Sequence, residues 1–286
     1  MSETIEISAG ESRAKIALRG AELKSWSVAG QELIWRGDES FWPDSAPILF
    51  PVVGWARDGI VVEGQRYPLG LHGFARAQDF TVAEQEPNRV VFRLGANPAT
   101  LALFPFEFEL RVEYIMQNNM LKIIIHVKNE DRQVLPYTCG LHPGFVWPLP
   151  GAEGLHVIRF DQDERASVPV IAPGGLFSTQ SREIPLLGRE LALTPALFEE
   201  ALCFLDARSA GLDYCAENGP RLRMELENLP HIALWSRPGA RFLCLEAWTG
   251  YGDPEHFDGD IFAKPSMRRL NPGESARSAA TFVWSP

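Results

Sequence analysis

A strict alternation of apolar and charged residues over positions 106–114 constrains the fold of this chain more than any other feature. The apolar positions are Phe106, Phe108, Leu110, Val112 and Tyr114, and the charged ones between them are Glu107, Glu109, Arg111 and Glu113. A period of two is typical of a strand with one buried and one wet face. Gln117-Asn118-Asn119 then supplies residues that tolerate positive φ, and the β-branched run 121–127 follows. This order predicts a β-hairpin.

Short strand-like segments recur along the rest of the chain. They are residues 5–8, 14–18, 32–35, 90–94, 221–226, 232–235 and 279–284. Gly, Pro, Asn and Asp clusters separate them, and many short strands with such punctuation are typical of a sandwich or barrel. Amphipathic helical patterns are scarce, and the best is a short one at 194–201. We expect the Pro- and Gly-rich segment 148–195 to run over one edge of the sheets.

The fold prediction is therefore all-β, a large antiparallel β-sandwich with few short helices. The chain has 286 residues, and sandwiches commonly reach about 200–250 residues as one domain. No linker composition, internal repeat or low-complexity tract interrupts the pattern. We expect residues 1–286 to form a single domain.

Charge and composition narrow the range of partners. A net charge of -10 repels phosphate backbones and anionic lipid, so we expect neither nucleic acid nor a membrane as a partner. The amino terminus, Met1 to Glu6, is acidic and no apolar stretch follows it, so we expect a cytoplasmic protein. The cysteines lack CxxC spacing and are predicted to be reduced thiols: Cys139, Cys203, Cys215 and Cys244. A monomer and a homodimer both remain open.

Glu246 is the most informative residue for function. It lies in the run Arg241-Phe242-Leu243-Cys244-Leu245-Glu246-Ala247-Trp248, directly after four apolar residues in a row that predict a strand buried on both faces. A carboxylate costs several kcal/mol to bury unless something pairs with it. One reading is a structural ion pair with an arginine at a sheet end. The other, which we favour, is a catalytic acid.

Two histidines are the candidate partners of that acid. His142 lies in Gly140-Leu141-His142-Pro143-Gly144-Phe145, where the proline favours an extended backbone at the histidine. His72 lies between Gly70 and Gly73, which permit close approach of a ligand, although a plain turn explains the same glycines. The remaining histidines have no such context and are interpreted as surface or core residues: His126, His156, His231 and His256.

Arginine and tryptophan side chains near these segments can contribute to binding. Arg57 and Arg76 could donate forked hydrogen bonds to hydroxyls or a phosphate, and a surface position explains Arg57 better. An indole face suits the apolar face of a sugar ring, although most tryptophans are core residues. The tryptophans beside the candidate motifs are Trp55, Trp147 and Trp248.

Other chemistries have weaker support. The chain contains no GxSxG, P-loop or GxGxxG motif, so serine hydrolases, NTPases and dinucleotide enzymes lack their signatures. His72, His142 and Glu246 are the right types for a metal site with two histidines and one carboxylate, but no tight ligand spacing supports it. A glycosidase would need Glu246 together with either Glu200 or Asp206, at a separation that the sequence does not give.

At these motifs the chain resembles the aldose 1-epimerase, or galactose mutarotase-like, family, in its bacterial branch with HGFAR and GxHPxF segments. The likeness covers nearly the whole length. It runs through Gly20-Ala21-Glu22-Leu23, Phe50-Pro51-Val52-Val53-Gly54, His72-Gly73-Phe74-Ala75-Arg76, Gly140-Leu141-His142-Pro143-Gly144-Phe145 and Leu243-Cys244-Leu245-Glu246-Ala247-Trp248-Thr249-Gly250. Their order and spacing together carry the resemblance.

The resemblance implies a large antiparallel β-sandwich that interconverts the α and β anomers of an aldohexose. Glu246 matches the general base that takes the proton of the C1 hydroxyl, and His142 matches the acid that protonates the ring oxygen. His72 and Arg76 match positions that hold sugar hydroxyls, and Arg57, Glu200 and Trp248 complete the expected substrate-binding set. The chemistry implies no cofactor and no metal, because positioned acids and bases suffice.

Departures from the family keep the substrate open. Relatives often have Arg where Trp55 stands, Pro where Ala247 stands and Asp where Glu200 aligns. A hexose-6-phosphate 1-epimerase that uses Arg57 or Arg76 on the phosphate is one alternative. A carbohydrate-binding protein without turnover is another.

Overall fold

The computed structural model describes residues 3–217 and 219–286, so Met1, Ser2 and Asn218 lie outside the described residues. The first strands are β1 (Thr4–Ala9), β2 (Ser12–Ala17), β3 (Leu23–Val28), β4 (Gln31–Glu32), β5 (Ile48–Leu49), β6 (Ile60–Val62), β7 (Gln65–Tyr67), β8 (Thr81–Glu86), β9 (Arg89–Gly95), β10 (Phe108–Gln117), β11 (Met120–Asn129), β12 (Leu135–Tyr137), β13 (Gly140–Leu141) and β14 (Gly144–Val146).

The remaining strands are β15 (His156–Phe160), β16 (Ser167–Ala172), β17 (Leu176–Glu183), β18 (Leu186–Leu187), β19 (Glu190–Ala192), β20 (Leu202–Phe204), β21 (Gly211–Ala216), β22 (Arg221–Glu227), β23 (His231–Trp235), β24 (Phe242–Trp248), β25 (Arg268–Leu270) and β26 (Ser275–Ser285). Helices are short: the α-helix α1 (Pro98–Leu101) and 3₁₀ turns at Ala75–Ala77, Pro195–Glu199 and Ile261–Ala263.

Two large antiparallel sheets form the sandwich. One has ten strands in the order β18-β19-β15-β21-β22-β26-β11-β10-β9-β8, and the other has the order β20-β23-β24-β13-β5 with β14 also paired to β24. Between them, the rings of Phe145 and Phe282 lie 5.1 Å apart, and those of Phe160 and Phe204 lie 4.7 Å apart. Burial of these faces is the main stabilising term. The predicted all-β sandwich is confirmed.

The predicted hairpin is β10 and β11. Their register pairs Gln117 with Met120, so the loop is Asn118-Asn119, and Asn118 adopts φ 48°. Burial along β10 alternates as the sequence pattern requires. Phe106, however, lies before the strand begins, where its ring contacts that of Phe104 at 4.8 Å. Its apolarity reflects core packing in a connecting segment, which periodicity alone does not separate from a strand.

β24 is buried along its whole length, as the sequence predicts, and its two faces differ. Leu243, Leu245 and Ala247 pack into the main core between the sheets. The alternate residues face away from that core, because side chains alternate across a strand. Phe242 and Cys244 belong to one small aromatic cluster, and Trp248 belongs to another. Glu246 lies between the two clusters on this outer face.

Three segments differ from their predictions. Residues 194–201 form no amphipathic α-helix but a 3₁₀ turn, Pro195–Glu199, with a non-helical Phe198 inside it. Within 32–35, only Glu32 belongs to a strand, β4. In 148–195, β15, β18 and β19 extend the ten-stranded sheet, and only the β16–β17 hairpin stands apart. The alternating burial of β15 is too short a pattern to recognise among so many Pro and Gly residues.

All four cysteines are buried and free, as predicted. Burial raises the pKa of the Cys139 thiol to about 12. No helix in the described part of the chain is long and apolar enough to cross a membrane.

Candidate active site

A cavity of about 550 Å³ opens on the outer face of β24 and contains both predicted catalytic residues. The lining consists of aromatic, acidic and cationic side chains and a few small residues. Its main members are Trp42, Asp44, Trp55, His72, Arg76, His142, Ile171, Gly175, Phe177, Glu199, Glu200, Trp235, Arg237, Glu246 and Trp248. This volume lies within the usual range for small-molecule sites, about 300–1,000 Å³.

Glu246 is 2% exposed, at the floor of the cavity. Its Oε2 lies 3.3 Å from Nε2 of His142 and accepts a hydrogen bond from the indole Nε1–H of Trp248 at 3.2 Å. No arginine pairs with it, so the structural ion-pair interpretation lacks its partner among the described residues. Burial raises the pKa of Glu246 well above its usual range, and the Trp248 hydrogen bond opposes this rise.

His142 reaches Glu246 because of a break in the sheet. β13 pairs Leu141 with Ala247, and β14 pairs Gly144 with Cys244. The His142-Pro143 link between them therefore lies opposite Leu245 and Glu246, and Pro143 has no N–H to continue the ladder. The carbonyl of Pro143 instead accepts from the Leu245 N–H at 3.1 Å.

Aromatic rings surround the His142 imidazole. It lies 5.0 Å from Trp42 at a shallow 30° angle and meets Trp235 edge-on at 5.7 Å. Its Nδ1 is buried without a hydrogen-bond partner in the described residues. Burial lowers the pKa of His142 to about 3, so the imidazole and the carboxylic acid of Glu246 are both favoured in their neutral forms.

His72 lies beside this pair, with its ring 5.5 Å from that of His142. Its Nδ1 accepts a hydrogen bond from the Gly54 N–H at 3.0 Å, which places the proton of a neutral ring on Nε2. The pKa of His72 is lowered well below its usual value by burial, then by His142 and Arg76. Gly73 allows this approach, since a Cβ there would meet the Phe50 carbonyl oxygen at 2.3 Å. His72 thus offers a fixed N–H donor.

The other predicted binding residues are distributed unevenly. Arg76 lines the cavity and forms an ion pair with Asp44, at 3.3 Å. Glu200 also lines it, and its Oε2 accepts from the Ile171 N–H at 3.1 Å. Trp248 lines it while donating to Glu246.

Arg57 does not line the cavity. Its backbone N–H donates to Oδ2 of Asp253 at 2.8 Å, and its side chain lies at a separate small pocket with Lys264. Trp147, the third tryptophan of the sequence motifs, contacts Phe198 at 5.8 Å and is not part of the cavity lining. Asp206, the alternative second acid of a glycosidase, borders a different pocket beside His231.

The remaining histidines lie outside the cavity lining. His156 and His231 are buried, at 1% and 3% exposure. Nε2 of His126 lies 3.4 Å from a carboxylate oxygen of Glu113, and Nε2 of His256 lies 3.7 Å from one of Glu255.

Two sides of the cavity can be distinguished. The His142 side is the wall on which Trp42 and Trp235 line the cavity. Trp42 is 8% exposed, and Phe242 and Cys244 are fully buried behind this wall. The Trp55 side is the wall formed by Trp55, Ile171, Gly175 and Phe177, where the Trp55 indole is 40% exposed. Sequence reasoning missed Trp42, Trp235, Phe177, Asp44 and Arg237, because no local pattern marks residues that only tertiary packing brings to β24.

The metal alternative needs three ligands that converge. Within residues 3–217 and 219–286, no three His, Cys, Asp or Glu side chains are arranged to hold a metal ion. His72 directs its Nδ1 to a backbone N–H rather than toward Glu246. The donor geometry does not fit a site with two histidines and one carboxylate.

Comparisons with known proteins agree with this architecture. The family model described as "Aldose 1-epimerase" matches residues 3–281. Protein LacX of Lactococcus lactis subsp. lactis, plasmid-encoded, is 31% identical over 266 residues, which cover 87% of this chain and 88% of the relative. Its chromosomal counterpart matches equally.

Solved structures give the same result. A galactose mutarotase-like protein from Lactobacillus casei superposes with a TM-score of 0.92 at 28% identity, over 99% of this chain and 100% of that one. A galactose mutarotase related enzyme from Lactobacillus acidophilus gives 0.90 at 26% identity, over 99% and 98%. With a family match over almost its entire length and a sandwich fold shared with these proteins, the chain belongs to the aldose 1-epimerase family.

Proposed function

We propose that this protein is an aldose 1-epimerase, an isomerase that interconverts the α and β anomers of an unphosphorylated aldose. Family membership supports a carbohydrate epimerase. The observation that carries the finer proposal is the buried contact of 3.3 Å between Nε2 of His142 and Oε2 of Glu246 on the cavity floor. It provides one acid and one base within reach of the same small molecule.

The pair suits anomer exchange because the reaction needs one proton to be removed and another to be supplied. Glu246 takes the proton of the C1 hydroxyl, and His142 protonates the ring oxygen, so the bond from C1 to the ring oxygen breaks. Rotation about C1–C2 exposes the other face of the aldehyde. Ring closure returns both protons with the roles reversed. No net proton is consumed, and no cofactor is required by the chemistry.

The charges around the pair explain how it can carry a single mobile proton. Burial favours the neutral carboxylic acid and the neutral imidazole, whereas the first step uses the carboxylate and the imidazolium. The Trp248 N–H stabilises the carboxylate, and hydroxyls of a bound sugar add further polar contacts. The ionised form is then accessible when substrate replaces apolar contacts with hydrogen bonds.

The wall residues support an unphosphorylated substrate over a hexose 6-phosphate. Carboxylates of Asp44, Glu199 and Glu200 line the cavity together with the guanidinium groups of Arg76 and Arg237. Arg76 is already paired with Asp44, and Arg57, which a phosphate could otherwise use, lies outside the lining. A phosphate would therefore meet at least as much negative as positive charge.

Anomer exchange measured by NMR tests the proposal. Purified protein is added to equilibrium mixtures of glucose, galactose and glucose 6-phosphate, with and without a chelator, and exchange is compared with buffer alone. The proposal expects exchange of a free aldose that survives the chelator. A folded protein that binds sugar without accelerating exchange would instead be a carbohydrate-binding protein.

Variants connect the exchange to the pair. Glu246→Gln and His142→Gln keep the shape of each side chain and remove its proton chemistry. Matched controls are Glu39→Gln, an exposed carboxylate, and His256→Gln, whose side chain is 82% exposed. Exchange that persists in both cavity variants would contradict the mechanism.

A further inference from the structure

The Trp55 side of the cavity has no role in the chemistry proposed above, yet it accounts for much of the available space. A hexose has six CH(OH)-sized units, and at about 30 Å³ each, the liquid volume of one water, it occupies about 180 Å³. The cavity volume of about 550 Å³ is about three times this value. A single ring placed with C1 beside Glu246 and His142 leaves room for a second ring.

Trp55 has the properties of a surface that receives such a ring. Its indole is 40% exposed, the most exposed aromatic side chain among the large hydrophobic residues of the described chain. On the opposite side of the cavity, both the face and the edges of Trp42 are occupied by His142, Trp235 and Phe242. The exposed indole of the lining is therefore that of Trp55, and an exposed indole can stack on the apolar C–H face of a pyranose.

The backbone of Trp55 is held by hydrogen bonds although its ring is exposed. The carbonyl of Trp55 accepts from the Asp253 N–H at 2.8 Å, and the Asp253 carbonyl accepts from the Phe177 N–H at 2.9 Å. The Asp253 carboxylate accepts from the Arg57 N–H and lies 2.8 Å from Nζ of the buried Lys264. The backbone of Asp253 thus ties the loop of Trp55 to the strand of Phe177, and the buried ion pair with Lys264 holds Asp253 in place. Fixing an exposed aromatic in advance lowers the entropy cost of binding.

Gly175 completes this wall. It lies in the turn of the β16–β17 hairpin at φ +76°, and a Cβ there would meet Cδ1 of the Trp55 indole at 2.1 Å. The indole therefore packs directly on the glycine backbone. Its neighbour Gly174 has a similar φ of +82° with nothing within 4 Å of its Cβ position. An alanine would meet similar backbone strain at either position, and only at Gly175 would its Cβ meet Trp55.

Polar groups for ring hydroxyls lie at the same end. Glu200 is held by the Ile171 N–H and by Nε of Arg182, 3.6 Å away, and the exposed carboxylate of Glu199 lies next to it. An aromatic face with carboxylates beside it is the chemistry that recognises a neutral sugar rather than a phosphate.

Resting on the proposed function, we infer that the cavity has a second pyranose subsite on the Trp55 side and that the preferred substrate is a reducing disaccharide. C1 of the reducing ring lies at Glu246 and His142, and the second ring stacks on Trp55. The linkage is distinguished by testing both β-linked and α-linked disaccharides.

The test compares anomer exchange of lactose, cellobiose and maltose with that of glucose, galactose and glucose 6-phosphate. We expect at least one disaccharide to have a kcat/KM about tenfold above its reducing-end monosaccharide, through a lower KM. In Trp55→Ala and Gly175→Ala this ratio falls about tenfold, the change that 1.4 kcal/mol produces. In Gly174→Ala, the matched control for strain in the turn, the ratio stays that of the wild type.

The outcomes separate this inference from the function on which it rests. Exchange of monosaccharides that equals or exceeds that of every disaccharide, or a ratio unaffected by Trp55→Ala, overturns the second subsite and leaves the epimerase intact. A preference for glucose 6-phosphate also overturns it. Absence of exchange on every sugar overturns the epimerase, and titration of wild-type protein with lactose and galactose, followed by NMR, then decides the subsite. Tighter lactose binding that is lost in Trp55→Ala supports it, and equal or no binding overturns it.

Discussion

Each side of the cavity contains a tryptophan, and the two indoles differ in how much of the ring is exposed. On the His142 side, the Trp42 indole is 8% exposed and packs against the imidazole. On the Trp55 side, the indole is 40% exposed and faces open space. Close packing holds a side chain in one rotamer, which an acid/base pair needs. An exposed ring on an anchored backbone instead keeps its face available. In our proposal, the first wall holds the acid/base pair in place and the second binds the distal part of the substrate.

Loss of the proton-transfer groups should reduce kcat more than any other change. We expect this reduction only for residues of the acid/base pair and not for residues of the Trp55 side. Glu246→Gln and His142→Gln should each reduce kcat for anomer exchange by about 10²- to 10⁴-fold, the usual contribution of a positioned acid or base. NMR exchange at saturating sugar measures this. A higher KM with an unchanged kcat would mean that Glu246 and His142 bind the sugar without transferring protons. The two walls would then not differ in function.

Truncation of the two tryptophans should separate packing from binding. Trp42→Ala removes a nearly buried ring from the His142 side, and we expect a loss of unfolding free energy of about 3–5 kcal/mol. Trp55→Ala removes a ring that is largely exposed and should cost much less. Urea denaturation of both variants measures the contrast. Equal losses would mean that Trp55 is also a packing residue.

The sequence predicted the acid and the two histidines that line the cavity, but it did not predict the cavity walls. The run 241–248 predicts a strand buried on both faces, because its apolar residues are consecutive. A carboxylate inside such a strand indicates a functional role. The glycines around His142 and His72 mark backbone that approaches other groups closely. Both signals are local. The structure brings these three residues into one cavity, and their catalytic roles stay a proposal for the exchange experiment.

The walls could not be predicted in the same way. Trp42 and Trp235 are distant in sequence and meet at His142 only through the fold. Arg57 lies two residues from Trp55, yet its side chain borders another pocket. A turn begins at Arg57, and a turn, unlike a strand, does not keep residues two apart on the same face. The short turn at Pro195–Glu199 brings Glu200 to the cavity without any periodic pattern. Which residues surround a site is decided by long-range packing.

Added methyl groups should sharpen the contrast in packing. A Cβ at Gly144 would meet Cζ3 of Trp42 at 2.7 Å and the Ser45 carbonyl oxygen at 3.4 Å. Gly144→Ala should therefore overpack the His142 side and cost about 1–3 kcal/mol of unfolding free energy. Gly175→Ala displaces an indole that has room to move. After the loss of unfolding free energy in Gly174→Ala is subtracted as the strain of a positive φ, Gly175→Ala should lose less unfolding free energy than Gly144→Ala. Thermal unfolding of the three variants measures this, and the reverse order would contradict the contrast.

The pH dependence of exchange tests whether Glu246 and His142 share one proton. The pKa shifts of these two residues predict where each limb of the pH profile lies. Catalysis needs the pair to hold one proton. At low pH a second proton binds, and since burial lowers the pKa of His142 to about 3, activity should persist well below neutrality. At high pH the pair loses its proton. Because burial raises the pKa of Glu246, this alkaline limb should lie well above the ordinary range of a carboxylic acid. A single acid limb near the ordinary value for glutamate would contradict the pair.

Trp248→Phe should move that alkaline limb while leaving the aromatic packing in place. The indole N–H of Trp248 stabilises the carboxylate of Glu246 through the 3.2 Å hydrogen bond, so its removal should raise the pKa of Glu246 further. Each pH unit corresponds to about 1.4 kcal/mol, and we expect a shift of about one unit toward higher pH. A profile of kcat against pH measures it, with Trp235→Phe as the aromatic control whose indole does not donate to Glu246. An alkaline limb that does not move, together with a raised KM, would mean that Trp248 binds the sugar and does not tune the pKa of Glu246. Trp248 would then belong to the substrate-binding wall.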